Sequence, residues 1–129
     1  MDLEAGLLCD AATDEGGKLY VLGAFDTIRA RGFPLVHPQC AVAFRVRFSR
    51  IEEGEHKLLV RFVDADGAAV LPPLETSVQV AFGEGQDTVV SNFILNIQGL
   101  TLKRAGTYSI DLAIDGRHEK SLPLHAVMT

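Results

Sequence analysis

The stretch "DADGAAVLPPLE", from Asp64 to Glu75, places carboxylates at the first, third and twelfth positions of a twelve-residue loop. In an EF-hand loop those positions carry calcium ligands, because the ion wants hard oxygen donors around it. The rest of that pattern is missing. The glycine required at the sixth position stands at the fourth, as Gly67, while Ala68 and Pro72 hold the fifth and ninth. A turn in which Asp66-Gly67 reverses the chain explains the same residues more simply. A second string, "VHPQC", sets His37 three residues before Cys40. That spacing could chelate a metal or pair a thiol with a base. Zinc needs four ligands, or three and a water, and Cys9, His56, His118 and His125 repeat no paired spacing. No third group stands ready to orient a dyad. The expectation is a buried, inert Cys40 at a strand start and an exposed loop histidine at position 37.

Other catalytic signatures are equally incomplete. "GEGQD" lacks the spacing and the following lysine of a phosphate loop, and no GxSxG elbow occurs. The acidic residues fall on turns and solvent faces rather than in converging pairs. With no Trp and two Tyr, the chain lacks the aromatic platforms expected of a carbohydrate binder. The reading is a protein with no catalytic residue, no metal and no cofactor, and not an enzyme. A net charge of -5 argues against nucleic acid as a partner. One cationic feature stands out: Arg45, Arg47 and Arg61 point outward on two runs expected to form a hairpin. Like charges opposed on paired strands repel unless neutralised. Either the three arginines meet an acidic partner or another subunit, or Asp111 on a neighbouring strand already pairs with them.

The elements that would position these groups are strands. In "CAVAFRVRFSR", Val42, Phe44, Val46 and Phe48 share one face, with Ala41, Ala43, Arg45 and Arg47 on the other. The same period of two runs through Leu58, Val60 and Phe62, through Val78, Val80 and Phe82, through Phe93, Leu95 and Ile97, and through Tyr108, Ile110, Leu112 and Ile114. Two earlier runs, "GLLCDAA" and "KLYVLGAF", read as less regular strands. Turn clusters such as "DEGG", "EEGE", "DADG" and "KRAG" separate them, and no window carries a helical stripe. At 129 residues and 47% hydrophobic composition, the chain is long enough for one core, so one β-sandwich domain over residues 1–129 is expected. The start, "MDLEAGLLCDAATDEGG", has no basic segment or apolar core of a secretory leader, and no apolar run suits a membrane span. A cytoplasmic location is expected, with Cys9 and Cys40 reduced and unbridged.

Register adds one local expectation. A plain two-residue turn at Asp115-Gly116 would set Ile110 opposite Ser121 and leave Leu122 and Leu124 on the wrong face. One extra residue, as an odd-length loop or a bulge between Ile114 and Ser121, sets Ile110 opposite Leu122 and Tyr108 opposite Leu124.

Two resemblances sharpen the fold. Tyr108, just after the turn Leu102–Gly106 and at the head of an alternating strand, resembles the tyrosine corner of immunoglobulin-like sandwiches. The resemblance implies a buried ring whose hydroxyl bonds a backbone carbonyl between Leu100 and Ala105. In the N-terminal half, Leu8-Cys9-Asp10, Gly17-Lys18-Leu19, Gly23, Asp26 and the Asp64-Ala65-Asp66-Gly67 turn resemble the bacterial family known as domain of unknown function 6941. That resemblance implies a small, soluble β-sandwich and brings no activity. Together these give an all-β, immunoglobulin-like antiparallel β-sandwich of seven or eight strands. Its expected role is protein interaction or self-association, with Arg45, Arg47 and Arg61 as candidate partner-binding residues. The alternative is a small-ligand-binding module using the aperiodic loop from Asp26 to Gln39.

Overall fold

Strict alternation along one central strand organises the core. The computed structural model describes residues 1–129. Nine strands run in chain order: β1 (Asp2–Glu15), β2 (Lys18–Ala24), β3 (Thr27–Ala30), β4 (Leu35–Ser49), β5 (Gly54–Val63), β6 (Leu74–Val80), β7 (Thr88–Leu102), β8 (Gly106–Ile114) and β9 (Arg117–Met128). They form a four-stranded sheet, β2-β1-β4-β7, and a five-stranded sheet, β3-β9-β8-β5-β6. On β4, Val42, Val46 and Phe48 are fully buried and Phe44 nearly so. They meet Leu58, Phe62, Ile110, Leu112, Ile114 and Leu124 from the second sheet in one continuous core. Facing sheets with interdigitated inner side chains make a sandwich. No helix is long and apolar enough to cross a membrane.

Three expectations change. There are nine strands, not seven or eight. The sandwich is not wholly antiparallel, because β3 runs parallel to β9, with Thr27 beside His125 and Ala30 beside Met128. The segment from Asp26 to Gln39 is not one long loop: β3 and the start of β4 occupy most of it, leaving Arg31–Pro34 between them. Sequence alternation missed β3 because four residues at a sheet edge are too few to display a period.

A further correction concerns the arginines. β4 and β5 are consecutive but do not pair; a 3-10 turn at Arg50–Glu52 carries the chain from one sheet to the other. Alternation says which face a residue takes, and is silent about which strand lies alongside.

The β8–β9 hairpin carries the expected bulge. Asp115 and Gly116, both at positive φ (52° and 80°), make a two-residue turn of the primed kind favoured by twisted hairpins. Ile114 faces Arg117 and Ala113 faces His118, then the register shifts so that Leu112 meets Lys120. Glu119 is the extra residue. Beyond it Ile110 faces Leu122 and Tyr108 faces Leu124, so Leu122, Leu124 and Ala126 turn inward.

Tyr108 forms the corner. Its ring is buried edge-on against Phe62, and its hydroxyl donates to the carbonyl of Arg104 at 2.6 Å. We expect Tyr108→Phe to lower the unfolding free energy by about 1 kcal/mol, since a part-buried carbonyl loses its donor. Urea denaturation of the two proteins measures it; equal midpoints and slopes would show that the bond contributes nothing.

Candidate functional site

The three candidate arginines do not form one surface. Arg45 and Arg47 lie on the outer face of the four-stranded sheet, and Arg61 lies on β5 in the other sheet. Glu4 holds the first two. Its carboxylate accepts from Arg47 Nε at 2.7 Å and from Arg45 Nε at 3.0 Å. The hydrogen bond from Arg47, with that from Arg45, holds the Glu4 carboxyl below the usual carboxylate range despite some desolvation. Glu4 can reach both because β1 bulges there, between Leu3 and Ala5. Asp111, the countercharge expected from the sequence, sits opposite Arg61 alone. It accepts hydroxyl bonds from Ser109 (2.6 Å) and Ser121 (2.7 Å).

Arg45 also fastens a hairpin. Its Nη1 donates to the carbonyl of Gly17 at 3.0 Å, and Asn92 Nδ2 donates to the same oxygen. Gly17 is the tip of the β1–β2 hairpin, whereas Ala5 is the residue of β1 that pairs with Arg45. A straight strand from Ala5 would carry Gly17 about 40 Å away. The hairpin therefore folds back over the outer face of its own sheet. That accounts for Cys9, Ala41 and Ala43, which point outward from the sandwich yet are fully buried. The fold-back begins at the cross-strand position shared by Asp10 and Gly23, between the pairs Cys9–Ala24 and Ala11–Leu22. Gly23 sits at φ 68°, and a β-carbon there would lie 2.4 Å from Asp10 Oδ2. A β-carbon there would have to displace the Asp10 carboxylate, and the positive φ itself favours glycine.

These are the residues that carried the family resemblance, and their placement gives them a structural meaning. Cys9 is the buried thiol under the hairpin, Asp10 and Gly23 make the bend, and Gly16-Gly17 close the tip. Asp64 belongs to a turn, with Oδ1 accepting the amides of Asp66 and Ala68. A family model of unknown function, DUF6941, matches residues 4–127. The chain belongs to DUF6941. The match takes in both sheets, well beyond the N-terminal half that suggested it. Among curated proteins nothing matches the chain.

The reactive groups of this DUF6941 protein are mostly occupied. Cys40 is buried in the core, and burial pushes its thiol up to about 11. His37 lies in β4, half-buried, its ring 5.8 Å from that of Phe25, rather than in an exposed loop. No three His, Cys, Asp or Glu side chains converge as a metal site would require.

One cluster escaped sequence reading. His56 donates from Nδ1 to Asp115 Oδ2 at 2.6 Å and from Nε2 to the carbonyl of Glu52. Its ring stacks on Phe48, with centroids 4.9 Å apart. Both ring nitrogens face acceptors, which only the doubly protonated ring can satisfy. Ser49, His56 and Asp115 are the residue types of a hydrolytic triad, but Ser49 Oγ donates to Glu52 Oε1 and His56 offers it no free nitrogen. A triad needs the hydroxyl on the base. The only sequence signal for this cluster was the turn at Asp115-Gly116, and nothing tied it to a histidine 59 residues earlier.

A cleft of about 470 Å³ opens beside the hairpin bend, lined by Phe25, Ile28, Leu35 and His37 among others. Thr27, Ile28, Arg29, Leu35, Val36, His37 and Pro38 bring part of the stretch from Asp26 to Gln39 to its wall.

Proposed function

We propose that this protein is a non-enzymatic interaction module that binds extended segments by strand addition at the free edge of β7. The supporting observation is the composition of that edge. β7 runs from Thr88 to Leu102, pairs only with β4, and contains no charged residue and no proline. Natural sheets protect their edges with charge, proline, bulges or shortness. The other three edges follow that rule. β3 has four residues including Arg29, β2 carries Lys18 and the bend at Gly23, and β6 carries Glu75 after two prolines. From Thr88 to Gln98, ahead of the bend at Gly99 (φ 64°), this edge offers an unprotected row of main-chain donors and acceptors to an incoming strand.

Arg45 and Arg47 are spent on Glu4 and the hairpin tip, so of the three arginines Arg61 is the one left to meet an acidic partner. Two buried cysteines without a bridge fit a cytoplasmic setting. The second reading, a small-ligand module, draws on the cleft beside Phe25 and His37, whose lining is mixed apolar and polar.

Amide chemical shifts of the isotopically labelled chain separate the two. The probe is a short peptide of alternating Thr and Val with a lysine at each end. Strand addition is expected to move the amides of Thr88 to Gln98. A peptide that leaves them unmoved, while small apolar fragments shift Phe25, Ile28 and His37, would transfer the function to the cleft.

A further inference from the structure

We propose that the strand added to β7 is β7 of a second copy, antiparallel about a two-fold axis through Ile94, joining two four-stranded sheets into one. This rests on the strand-addition reading and names its partner.

Charge is the first argument. The molecule carries a net charge of -5, yet its longest open edge carries none. An acidic or basic peptide finds no complementary charge along β7, whereas an identical strand meets no like charge there. Register is the second. Side chains and outward main-chain groups both alternate with period two, so a two-fold pairing must set each residue opposite one of the same parity. Centring the axis on Phe93 would set Asn92 against Ile94. Centring it on Leu95 would set Ile94 against Asn96. Centring it on Ile94 gives Ile94 against Ile94, Phe93 against Leu95, and Asn92 against Asn96. Of these three, that register matches apolar with apolar and amide with amide across five residues, from Asn92 to Asn96; the next pairs out, Ser91 with Ile97 and Val90 with Gln98, are mixed.

Exposure is the third. Phe93, Ile94 and Leu95 are only half-buried, although Phe93 and Leu95 lie on the core side of their sheet. They border a cleft of about 300 Å³ between β6 and β7 that reaches Phe44 and Leu58. The sandwich is open along this side. A second β7 brings one more Phe93 and one more Leu95 to its mouth.

Light scattering on the full chain across a concentration series tests this. Dimers are expected at high concentration. Ile94→Lys, which opposes two lysines at the axis, should weaken them at least about tenfold. Asn96→Lys is the safer variant for folding, because Asn96 is already exposed. In the dimer it faces Asn92, which holds Arg45 beside it, and it should weaken association as well. Leu22→Lys, on the β2 edge, should leave the dimer intact. Ile94→Cys should cross-link under mild oxidant and Val90→Cys should not; the native thiols are buried and stay silent. A monomer at every concentration, or a dimer indifferent to both lysines, overturns the proposal. If the chain stays monomeric while the Thr/Val peptide still shifts β7, self-pairing fails and strand addition stands. If the peptide fails too, both fall.

Discussion

Gly23→Val is expected to lower the unfolding free energy by about 3 kcal/mol, the strain of a β-branched residue at positive φ plus a steric clash. Two effects combine, and a second substitution separates them. At φ 68° a valine is in a conformation that β-branched residues avoid. Its β-carbon would also lie 2.4 Å from Asp10 Oδ2 and 2.9 Å from Asp10 Cγ. Asp10→Ala in the same chain removes the contact and leaves the backbone strain, so it should recover part of the loss. The local readout is Cys9. That thiol is buried under the folded-back hairpin on the outward side of the sheet. If Gly23 sets the bend, Gly23→Val should let a thiol reagent reach Cys9 under native conditions much faster than in the unaltered protein. Cys40, in the core between the sheets, should stay protected and serves as the internal standard. Unchanged Cys9 protection alongside unchanged stability would show that the bend does not depend on this glycine.

What was legible beforehand follows from what period two can encode. It fixed the inward faces of β4, β8 and β9, because those strands are half-buried and long enough to repeat. It also required an odd-length loop or a bulge between Ile114 and Ser121, since two strands with known inward faces and a short turn leave few registers; the structure supplies the bulge, at Glu119. Topology lay outside its reach. Alternation puts Arg45 and Arg47 outward, where they lie, but Glu4 is more than forty residues away and reaches them through a bulge in β1. The 3-10 turn that separates β4 from β5 is three residues long and looks like any other punctuation. Nor does alternation show that a hairpin doubles back on its own sheet. Cys9, Ala41 and Ala43 look like solvent-facing positions on parity alone, and their smallness was the only hint that something lies on top. The openness of β7 was present in the sequence as fifteen uncharged residues, but an uncharged strand also describes the middle of a sheet. Only strand order distinguishes the two.

Stability should fall as pH rises above about 6.5, and the decline should belong to His56. The Glu52 carbonyl, then the Asp115 carboxylate, holds the imidazole's proton, raising its pKa above the ordinary value despite partial burial. A group whose folded pKa is raised gives its full stabilisation below the unfolded pKa and loses it as pH climbs through the folded one. Asp115 behaves oppositely. The Lys57 amide, which donates to its Oδ1 at 2.9 Å, and then His56 hold its carboxyl below the ordinary range. Its contribution is present above about pH 4 and is lost as pH falls through the lowered value. Denaturant unfolding between pH 5 and 8, below the range in which the raised thiols of Cys9 and Cys40 would add a decline of their own, should therefore show a downward slope on the alkaline side. His56→Gln should abolish that slope. Asp115→Asn should shrink it without removing it, because the Glu52 carbonyl still claims Nε2. Asp115→Ala is harsher, and about 2 kcal/mol is expected, at the lower end for a charge-assisted bond because the carboxylate is half-exposed. It loses the bonds to His56 and Lys57 and places an alanine at φ 52° in the turn. The comparison of Asn with Ala is informative because asparagine tolerates positive φ. A slope that persists in His56→Gln would assign it to another group, and would leave the stacked imidazole over Phe48 as packing alone.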